Sequence, residues 1–201
     1  MFRVHTVLYD GVEPQDFIGP LGPLQVADGV ELKYVCVDGP KTVPTAAGFE
    51  IAVRQPWSPD DADLVLVPGG GYGPESPVDR EVRRGVIAQA LAAARRPGLV
   101  LGAVCTGTLL LGDIVVGRPC TSFELAKDDL KARGASVIDS RVVDDGDLVT
   151  AGGVTSGLDL GLWLVERFFG VETALLAQQV LAYERRGPVW LGGRDSAQLV
   201  G

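Results

Sequence analysis

Residues 98–112 read GLVLGAVCTGTLLLG, and the fold is organised around this stretch. Its first half is an apolar, β-branched run, which is typical of a strand buried inside a parallel sheet. The stretch then turns at Cys105-Thr106-Gly107 and continues as a short apolar helix. A turn of small residues between a strand and a helix, with a nucleophile at its apex, is the pattern of a nucleophile elbow. We therefore predict that Cys105 lies at the carboxyl edge of a central strand.

The elbow makes Cys105 a candidate nucleophile. The N–H groups and the positive dipole end of the following helix would point at its sulfur and favour the thiolate, the reactive form of cysteine. The alternative is a small core residue, since free cysteines are among the most buried residue types. Cys36 and Cys120 lie in strand-like sequence. We predict that Cys105 alone reacts fast with alkylating reagents.

Composition and charge narrow the class of protein. The chain has 201 residues, of which 46% are hydrophobic and 22% charged, as in ordinary globular proteins. This length predicts one domain over residues 1–201. The formal net charge of −8 argues against nucleic acid and against an anionic membrane as partners. The apolar runs are too short to span a bilayer, and the N-terminus does not read as a signal peptide.

Residues that form disulfides or hold metals are few. The three cysteines are widely separated, and His5 is the one histidine of the sequence. This set indicates neither a disulfide framework nor a zinc site, so we expect no metal and no cofactor. A reducing cytoplasm is the simplest setting for such a chain.

Short apolar strands alternate with helical segments along the chain. We predict strands over 2–9, 30–38, 63–67 and 99–104, helices over 77–96, 123–133, 158–169 and 171–183, and hairpins over 42–54 and 136–151. This alternation predicts an α/β fold with a doubly wound, mostly parallel sheet, helices on both faces and a small added β-hairpin. We expect Gly19-Pro20 to break or kink any helix there, and the tail from Arg186 to be loosely held.

Three segments follow the carboxyl ends of three predicted strands. Asp16 comes after the first strand, the run Gly69-Gly70-Gly71 follows 63–67, and Cys105 follows 99–104. Because open α/β sheets bind ligands at this edge, we predict that the three segments meet in one crevice. A glycine run lets backbone N–H groups approach a ligand closely, but this one lacks the Lys and Ser/Thr of a phosphate loop. The alternatives are a helix cap at Asp16 and a plain flexible turn at the glycines.

These segments together resemble the ThiJ/PfpI superfamily, the flavodoxin-like relatives of class I glutamine amidotransferases. The matching stretches are LYDG at 8–11, DFIGP at 16–20, VPGG at 67–70, VCTG at 104–107 and VTAGGVTSGLD at 149–159. They occur in the right order over nearly the whole chain. The resemblance implies a flavodoxin-like fold, a cysteine nucleophile at Cys105, a small-molecule substrate and a homodimer.

Within that superfamily the sequence is most similar to the isocyanide hydratases. Asp16 stands in the Asp-x-x-Gly-Pro context of that subgroup, and Thr106 follows the cysteine as it does there. The resemblance implies that the thiolate of Cys105 attacks the isocyanide carbon, that Asp16 protonates it, and that water releases an N-substituted formamide. We expect backbone N–H groups near Gly70 and Thr106 to hold the developing negative charge. The candidates for substrate binding are Gly19, Gly69, Gly70 and Gly71.

One stretch departs from the superfamily pattern. Where the family usually has Ala-Thr-x-His-Trp, residues 120–124 read CTSFE, so Phe123 stands in the place of the histidine. The change weakens a protease, amidase or glyoxalase interpretation, because those activities need a Cys–His pair. Two alternatives stay open: a glyoxalase or deglycase-type enzyme, and a non-catalytic or redox-sensing protein in which Cys105 is oxidised.

Overall fold

A computed structural model describes residues 1–192 of the chain. In chain order its strands are β1 (Phe2–Val7), β2 (Val30–Val35), β3 (Lys41–Pro44), β4 (Glu50–Val53), β5 (Leu64–Val67), β6 (Val100–Val104), β7 (Pro119–Cys120), β8 (Ser136–Val137), β9 (Val142–Asp144), β10 (Leu148–Ala151) and β11 (Trp190–Leu191). Its α-helices are α1 (Pro14–Leu24), α2 (Pro77–Arg84), α3 (Val86–Ala94), α4 (Lys127–Ala132), α5 (Ser156–Phe169) and α6 (Val171–Leu181). Segments of 3₁₀ helix cover Pro59–Asp61, Cys105–Val115 and Glu124–Ala126.

The central sheet has seven strands in the order β11-β9-β10-β6-β5-β1-β2. Within this sheet the adjacent strands β2, β1, β5, β6 and β10 run parallel to one another, whereas β9 runs antiparallel to β10. Counted along the chain, the five parallel strands have the order 2-1-3-4-5, that of flavodoxin-like folds. Helices α1, α5 and α6 form one packed group, and α2 and α3 pack with the 3₁₀ helix 105–115. The predicted doubly wound α/β sheet is confirmed, as is the added hairpin, formed by β3 and β4.

The two middle strands of the sheet are apolar because both of their faces are covered. Every residue of β5 and of β6 is buried. Parallel strands in such positions have no solvent side and therefore read as continuous apolar runs. The glycine in β6 has a packing role, since a Cβ at Gly102 would lie 2.6 Å from a methyl carbon of Leu66.

The prediction of one helix over 77–96 is wrong. The segment forms two helices, α2 and α3, which meet at Gly85. Gly85 has φ of +68° and ends α2 as a left-handed C-cap. The amphipathic pattern continues on both sides of this residue, so the pattern by itself did not mark the break.

The expectation that Gly19-Pro20 breaks a helix is also wrong, whereas a kink at this pair stays a prediction. Helix α1 runs from Pro14 to Leu24 with Pro20 inside it. The helix is held by unusually close packing on α5, where a Cβ at Gly161 would lie 2.5 Å from the Pro20 carbonyl oxygen. Glycine on α5 therefore lets the two backbones touch, and tertiary packing outweighs the local cost of proline.

Two further differences concern strand ends. The second strand stops at Val35, so Cys36 lies just past it and is buried. Residues 136–137 form β8 with β7 as partner, and only β9 and β10 form the predicted hairpin.

The tail expectation is wrong for the part that forms β11, which pairs with β9 at the edge of the sheet. Residues 193–201 of that tail lie outside the described residues. Over residues 1–192, no helix has the length and apolar character needed to cross a membrane.

Candidate active site

Cys105 lies at the sharp turn between β6 and the 3₁₀ helix that follows, as predicted. Its φ is +59°, a left-handed conformation that is rare for a residue with a side chain. The Cys105 N–H donates to the Gly152 carbonyl at 2.9 Å, and the Ser122 hydroxyl donates to the Cys105 carbonyl at 2.7 Å. A Cβ at Gly107 would collide with the Val67 carbonyl oxygen. The strained turn is therefore fixed by both its neighbours and its own sequence.

Asp16 is brought to the cysteine by the first turn of α1. The side chain is 1% exposed, and its Oδ2 accepts a hydrogen bond of 3.0 Å from the Gly69 N–H. Its carboxyl lies close enough to the Cys105 thiol for each group to change the pKa of the other. The other oxygen, Oδ1, is buried without a hydrogen-bond partner. Glu13 caps α1 instead, so the helix-cap alternative for Asp16 is wrong.

The glycine run after β5 closes the crevice. A Cβ at Gly69 would lie 2.5 Å from Thr106 Oγ1 and 2.7 Å from Asp16 Oδ2, so this position has no room for a side chain. The Gly70 N–H donates to Thr106 Oγ1 at 3.3 Å. The structure thus brings Asp16, Gly69, Gly70, Thr106 and Cys105 together, at the edge that the sequence indicated.

The other two candidate glycines face elsewhere. Gly71 is exposed, and a Cβ there would meet Ser76 and Pro77 at the start of α2. Gly19 packs against the backbone of Gly157 in α5. Their roles in substrate binding stay predictions. The Gly70 N–H is already bonded to Thr106, which leaves the Thr106 N–H, directed at the sulfur, as the better donor for developing charge.

Burial raises the pKa of both reactive groups. Burial, opposed by the Gly69 hydrogen bond, raises the pKa of Asp16 to about 7. Burial, and next the nearby Asp16 carboxyl, raise the pKa of Cys105 to about 12 against the hydrogen bond from Thr106. The helix N-terminus favours the thiolate, as expected, but loss of water outweighs this effect. In the resting pair the proton stays on sulfur, and Asp16 titrates near neutral pH.

Fast alkylation of Cys105 therefore needs a reason other than a lowered thiol pKa. Burial also raises the pKa of Cys36 and of Cys120, each to about 11, so thiolate content does not favour Cys105. Cys105 is nevertheless the least buried of the three thiols, at 8% exposed, and has a carboxyl beside it that can accept its proton. Selective labelling of Cys105 stays a prediction on these grounds.

Sequence reasoning missed two residues that hold the site in place. Tyr9 is buried, and its hydroxyl donates to the Pro68 carbonyl at 2.9 Å, which fixes the start of the glycine run. Ser122 holds the Cys105 carbonyl. Tyr9 is the second residue after β1, so the rule that identified Asp16, a polar group past the carboxyl end of a strand, also applies to Tyr9.

The two residues that bear on histidine chemistry lie far apart. Phe123 follows Ser122 and lines a cavity of about 380 Å³ beside the elbow. His5 is buried, with Nε2 3.5 Å from an oxygen of Asp61, which precedes β5 at the opposite edge of the sheet. Burial lowers the pKa of His5, so it is neutral at pH 7. Within residues 1–192, His, Cys, Asp and Glu side chains form no group of three that could hold a metal ion.

Comparison with known proteins identifies the family of the chain. The model of the DJ-1/PfpI family matches residues 2–167. The isonitrile hydratase of Pseudomonas putida is 32% identical, over 97% of this chain and 84% of its own. The glutathione-independent glyoxalase DJR-1.2 of Caenorhabditis elegans is 24% identical, over 75% and 80%. A ThiJ/PfpI family protein from Pseudomonas syringae superposes with a TM-score of 0.80 at 26% identity, over 93% and 77%. The chain therefore belongs to the DJ-1/PfpI family.

Proposed function

We propose that this protein is a cysteine-dependent hydratase that adds water to an isocyanide, or to a related small electrophile, and releases an N-substituted formamide. The observation that carries the proposal is the buried pair of Asp16 and Cys105, in which a carboxyl with a pKa of about 7 lies against the thiol. The chain's one histidine, His5, is buried within β1, with Nε2 3.5 Å from an oxygen of Asp61. Similarity to an isonitrile hydratase supports the reaction class.

In the first half of the reaction Asp16 moves the thiol proton. Its carboxylate takes the proton from Cys105 as the sulfur forms a bond to the terminal carbon of R–N≡C. The Thr106 N–H and hydroxyl, which lower the pKa of Cys105, stabilise the negative charge of the sulfur during the transfer. The attacked carbon carries an electron pair and takes the same proton back from Asp16. The product of this half is a thioimidate, Cys–S–CH=N–R.

In the second half Asp16 acts on water. The carboxylate accepts a proton as water adds to the thioimidate carbon. The C–S bond then breaks, its electron pair returns to sulfur, and the proton held by Asp16 restores the Cys105 thiol. The released HO–CH=N–R tautomerises to the formamide. One water is consumed, and neither an oxidant nor a reductant is needed.

The test is direct observation of the product. The purified protein is incubated with cyclohexyl isocyanide in ¹⁸O-labelled water, and the formamide is measured by mass spectrometry. We expect catalytic turnover with one ¹⁸O atom in each formamide. Cys105→Ala is the control for uncatalysed hydration. Formamide formation equal to that control would reject the proposal.

The alternatives have less support at this site. Redox sensing favours an accessible, low-pKa thiol, whereas Cys105 is 8% exposed and burial raises its pKa. A glyoxalase-type reaction is represented by one relative, yet this chain has Phe123 where the superfamily usually has histidine. Methylglyoxal, added to the same assay in place of the isocyanide, distinguishes that activity through lactate formation.

We also propose that the chain forms a homodimer and folds as one domain over residues 1–201. The homodimer is implied by the family resemblance. Light scattering at micromolar concentration should give twice the chain mass of 21.1 kDa. A single species at 21.1 kDa would contradict it.

A further inference from the structure

An aromatic pair bridges the two segments that flank the nucleophile. Tyr72 follows the glycine run after β5, and Phe123 follows β7. Their ring centroids are 6.0 Å apart and their planes meet at 65°, an edge-to-face arrangement. Both segments are bonded to the elbow, the first through the Thr106 hydroxyl and the second through the bond from Ser122 to the Cys105 carbonyl. The pair is therefore fixed relative to the sulfur.

The two rings are held in place but not covered. The Tyr72 hydroxyl donates to Asp129 Oδ2 on α4 at 3.1 Å. The Phe123 ring lies over Gly153, where a Cβ would be 3.9 Å from a ring carbon. Tyr72 is 38% exposed, and Phe123 is half-buried. Ordered aromatic surface that stays open to solvent is available to an incoming apolar group.

Phe123 forms part of a cavity that lies beside the backbone of the nucleophile elbow. The cavity has a volume of about 380 Å³ and is lined by Ser122 and Gly152, the residues that bond the Cys105 backbone. Phe123 is the one aromatic residue among its lining side chains. A substituent that extends from the sulfur past Ser122 into this cavity would meet the Phe123 ring.

The cations of the same cavity are already paired. Lys127 Nζ bonds to Glu124 at 2.6 Å and to Asp139 at 2.7 Å. Arg141 Nε donates to the buried Asp159 at 2.7 Å. Because both lining cations have carboxylate partners, they contribute little attraction for an anionic substituent. The lining favours an uncharged one.

We propose that Phe123, supported edge-on by Tyr72, is the specificity-determining residue of this site and selects uncharged molecules with an aromatic substituent. The inference rests on the proposed function for the identity of the reaction. The selection itself concerns which molecules reach the sulfur of Cys105, and it can be measured without turnover.

The first experiment compares phenyl isocyanide with methyl isocyanide. In Phe123→Ala we expect the phenyl-to-methyl ratio of kcat/KM to fall about 3- to 10-fold, mainly through KM, because an aromatic contact is lost. Phe123→Tyr keeps a ring and should retain the ratio. Leu125→Ala is the matched control, since Leu125 is 64% exposed and does not line the cavity. An unchanged or increased ratio in Phe123→Ala overturns the proposal.

The second experiment tests the aromatic selection independently of the proposed hydratase reaction. Alkylation of Cys105 by benzyl bromide, iodoacetamide and iodoacetate is followed by peptide mapping, with rates divided by those of a small thiol. We expect the benzyl-to-acetamide ratio to fall about 3- to 10-fold in Phe123→Ala, or in Phe123→Leu if the alanine variant does not fold. Iodoacetate should be the slowest reagent.

The outcomes then separate cleanly. Absence of formamide with a selective alkylation ratio rejects the hydratase reaction and keeps the aromatic selection. Formamide production with an alkylation ratio and an isocyanide ratio that Phe123 does not change rejects the selection alone. Preferred reaction with iodoacetate also overturns it, because that result would show recognition of an anion.

Discussion

Two aspartates are equally deep in this molecule, each 1% exposed, yet their surroundings differ. Asp159, in the first turn of α5, accepts hydrogen bonds from Arg141 Nε at 2.7 Å, the Tyr183 hydroxyl at 3.2 Å and the Arg186 N–H at 2.7 Å. Asp16 has one backbone N–H at 3.0 Å and a thiol, and its Oδ1 has no partner. Hydrogen bonds and a cation therefore offset the cost of burying the Asp159 carboxylate, whereas one backbone N–H offsets little of that cost for Asp16.

The difference shows how burial serves two purposes. A buried charge with a cation and several donors stays charged and ties elements together. A buried carboxyl without a cation has a raised pKa and exchanges protons near neutral pH, which is the property that acid–base catalysis requires. The change for Asp16, from 3.8 to about 7, corresponds to about 4 kcal/mol against the charged form. Such a cost is expected at a reactive site, where function opposes stability.

The largest expected effect comes from removing the group that Asp16 serves. Cys105→Ala should lower formamide turnover at least about 1,000-fold, because no other group forms the covalent intermediate. The far-ultraviolet circular dichroism spectrum should not change. Turnover above a few per cent of the wild type in the folded variant would mean that the reactive site lies elsewhere.

Asp16→Asn removes the proton-exchanging carboxyl from the aspartate that lies beside Cys105. Turnover should fall about 100- to 10,000-fold, since an amide cannot take and return the thiol proton. Asp159→Asn, measured in the same assay, should retain most of its turnover per folded molecule. Full activity in Asp16→Asn would reject the acid–base role of this residue.

The same two substitutions should have opposite effects on stability. Asp159→Asn leaves Arg141 without its buried partner and should destabilise the fold by about 2–3 kcal/mol. Asp16→Asn should stabilise it at pH 8 by about 2–4 kcal/mol, because it removes an uncompensated buried charge. Urea unfolding at pH 8 measures both. Two destabilising substitutions would show that the environments are equivalent.

The sign of the pH dependence sharpens this contrast. The folded protein holds the Asp16 proton up to a pH of about 7, whereas the unfolded chain releases it near 3.8, so wild-type stability falls as pH rises through this interval. The advantage of Asp16→Asn should therefore disappear at about pH 4. Because the proposed mechanism uses the Asp16 carboxylate, kcat/KM should rise about tenfold per pH unit below 7 and then level off. A flat profile in the wild type would contradict the assignment.

The smallest effect is expected at His5, a third buried polar residue. Within residues 1–192 its ring nitrogens have no hydrogen-bond partner, and it lies inside β1 beside Asp61. His5→Asn should leave kcat/KM within about twofold of the wild type, although it changes a buried position in β1. Loss of activity in a folded His5→Asn protein would mean that the site has been misplaced.

Much of the frame of the candidate site is readable from sequence. The apolar runs of β5 and β6 predict buried parallel strands, and such strands bring their carboxyl ends to one edge. That rule predicts from sequence alone that Asp16, Gly69 and Cys105 lie together. The rule works because it depends on the hydrophobic pattern of each segment and on the order of the segments along the chain. Both can be read from the sequence.

Three properties of the site depend on the tertiary structure. They are the protonation state of Cys105, the use of the Gly70 N–H as a donor, and the contact of Phe123 with Tyr72. The helix N-terminus at Cys105 favours the thiolate locally, but the raised pKa comes from loss of water, which depends on every segment packed around the sulfur. The Gly70 N–H is consumed by Thr106, and Phe123 meets Tyr72 across some fifty residues of chain. Sequence order could indicate which groups share an edge. Only the packed fold decides which of these groups are desolvated, hydrogen-bonded or exposed to solvent. Those properties depend on all the residues that surround a group in space.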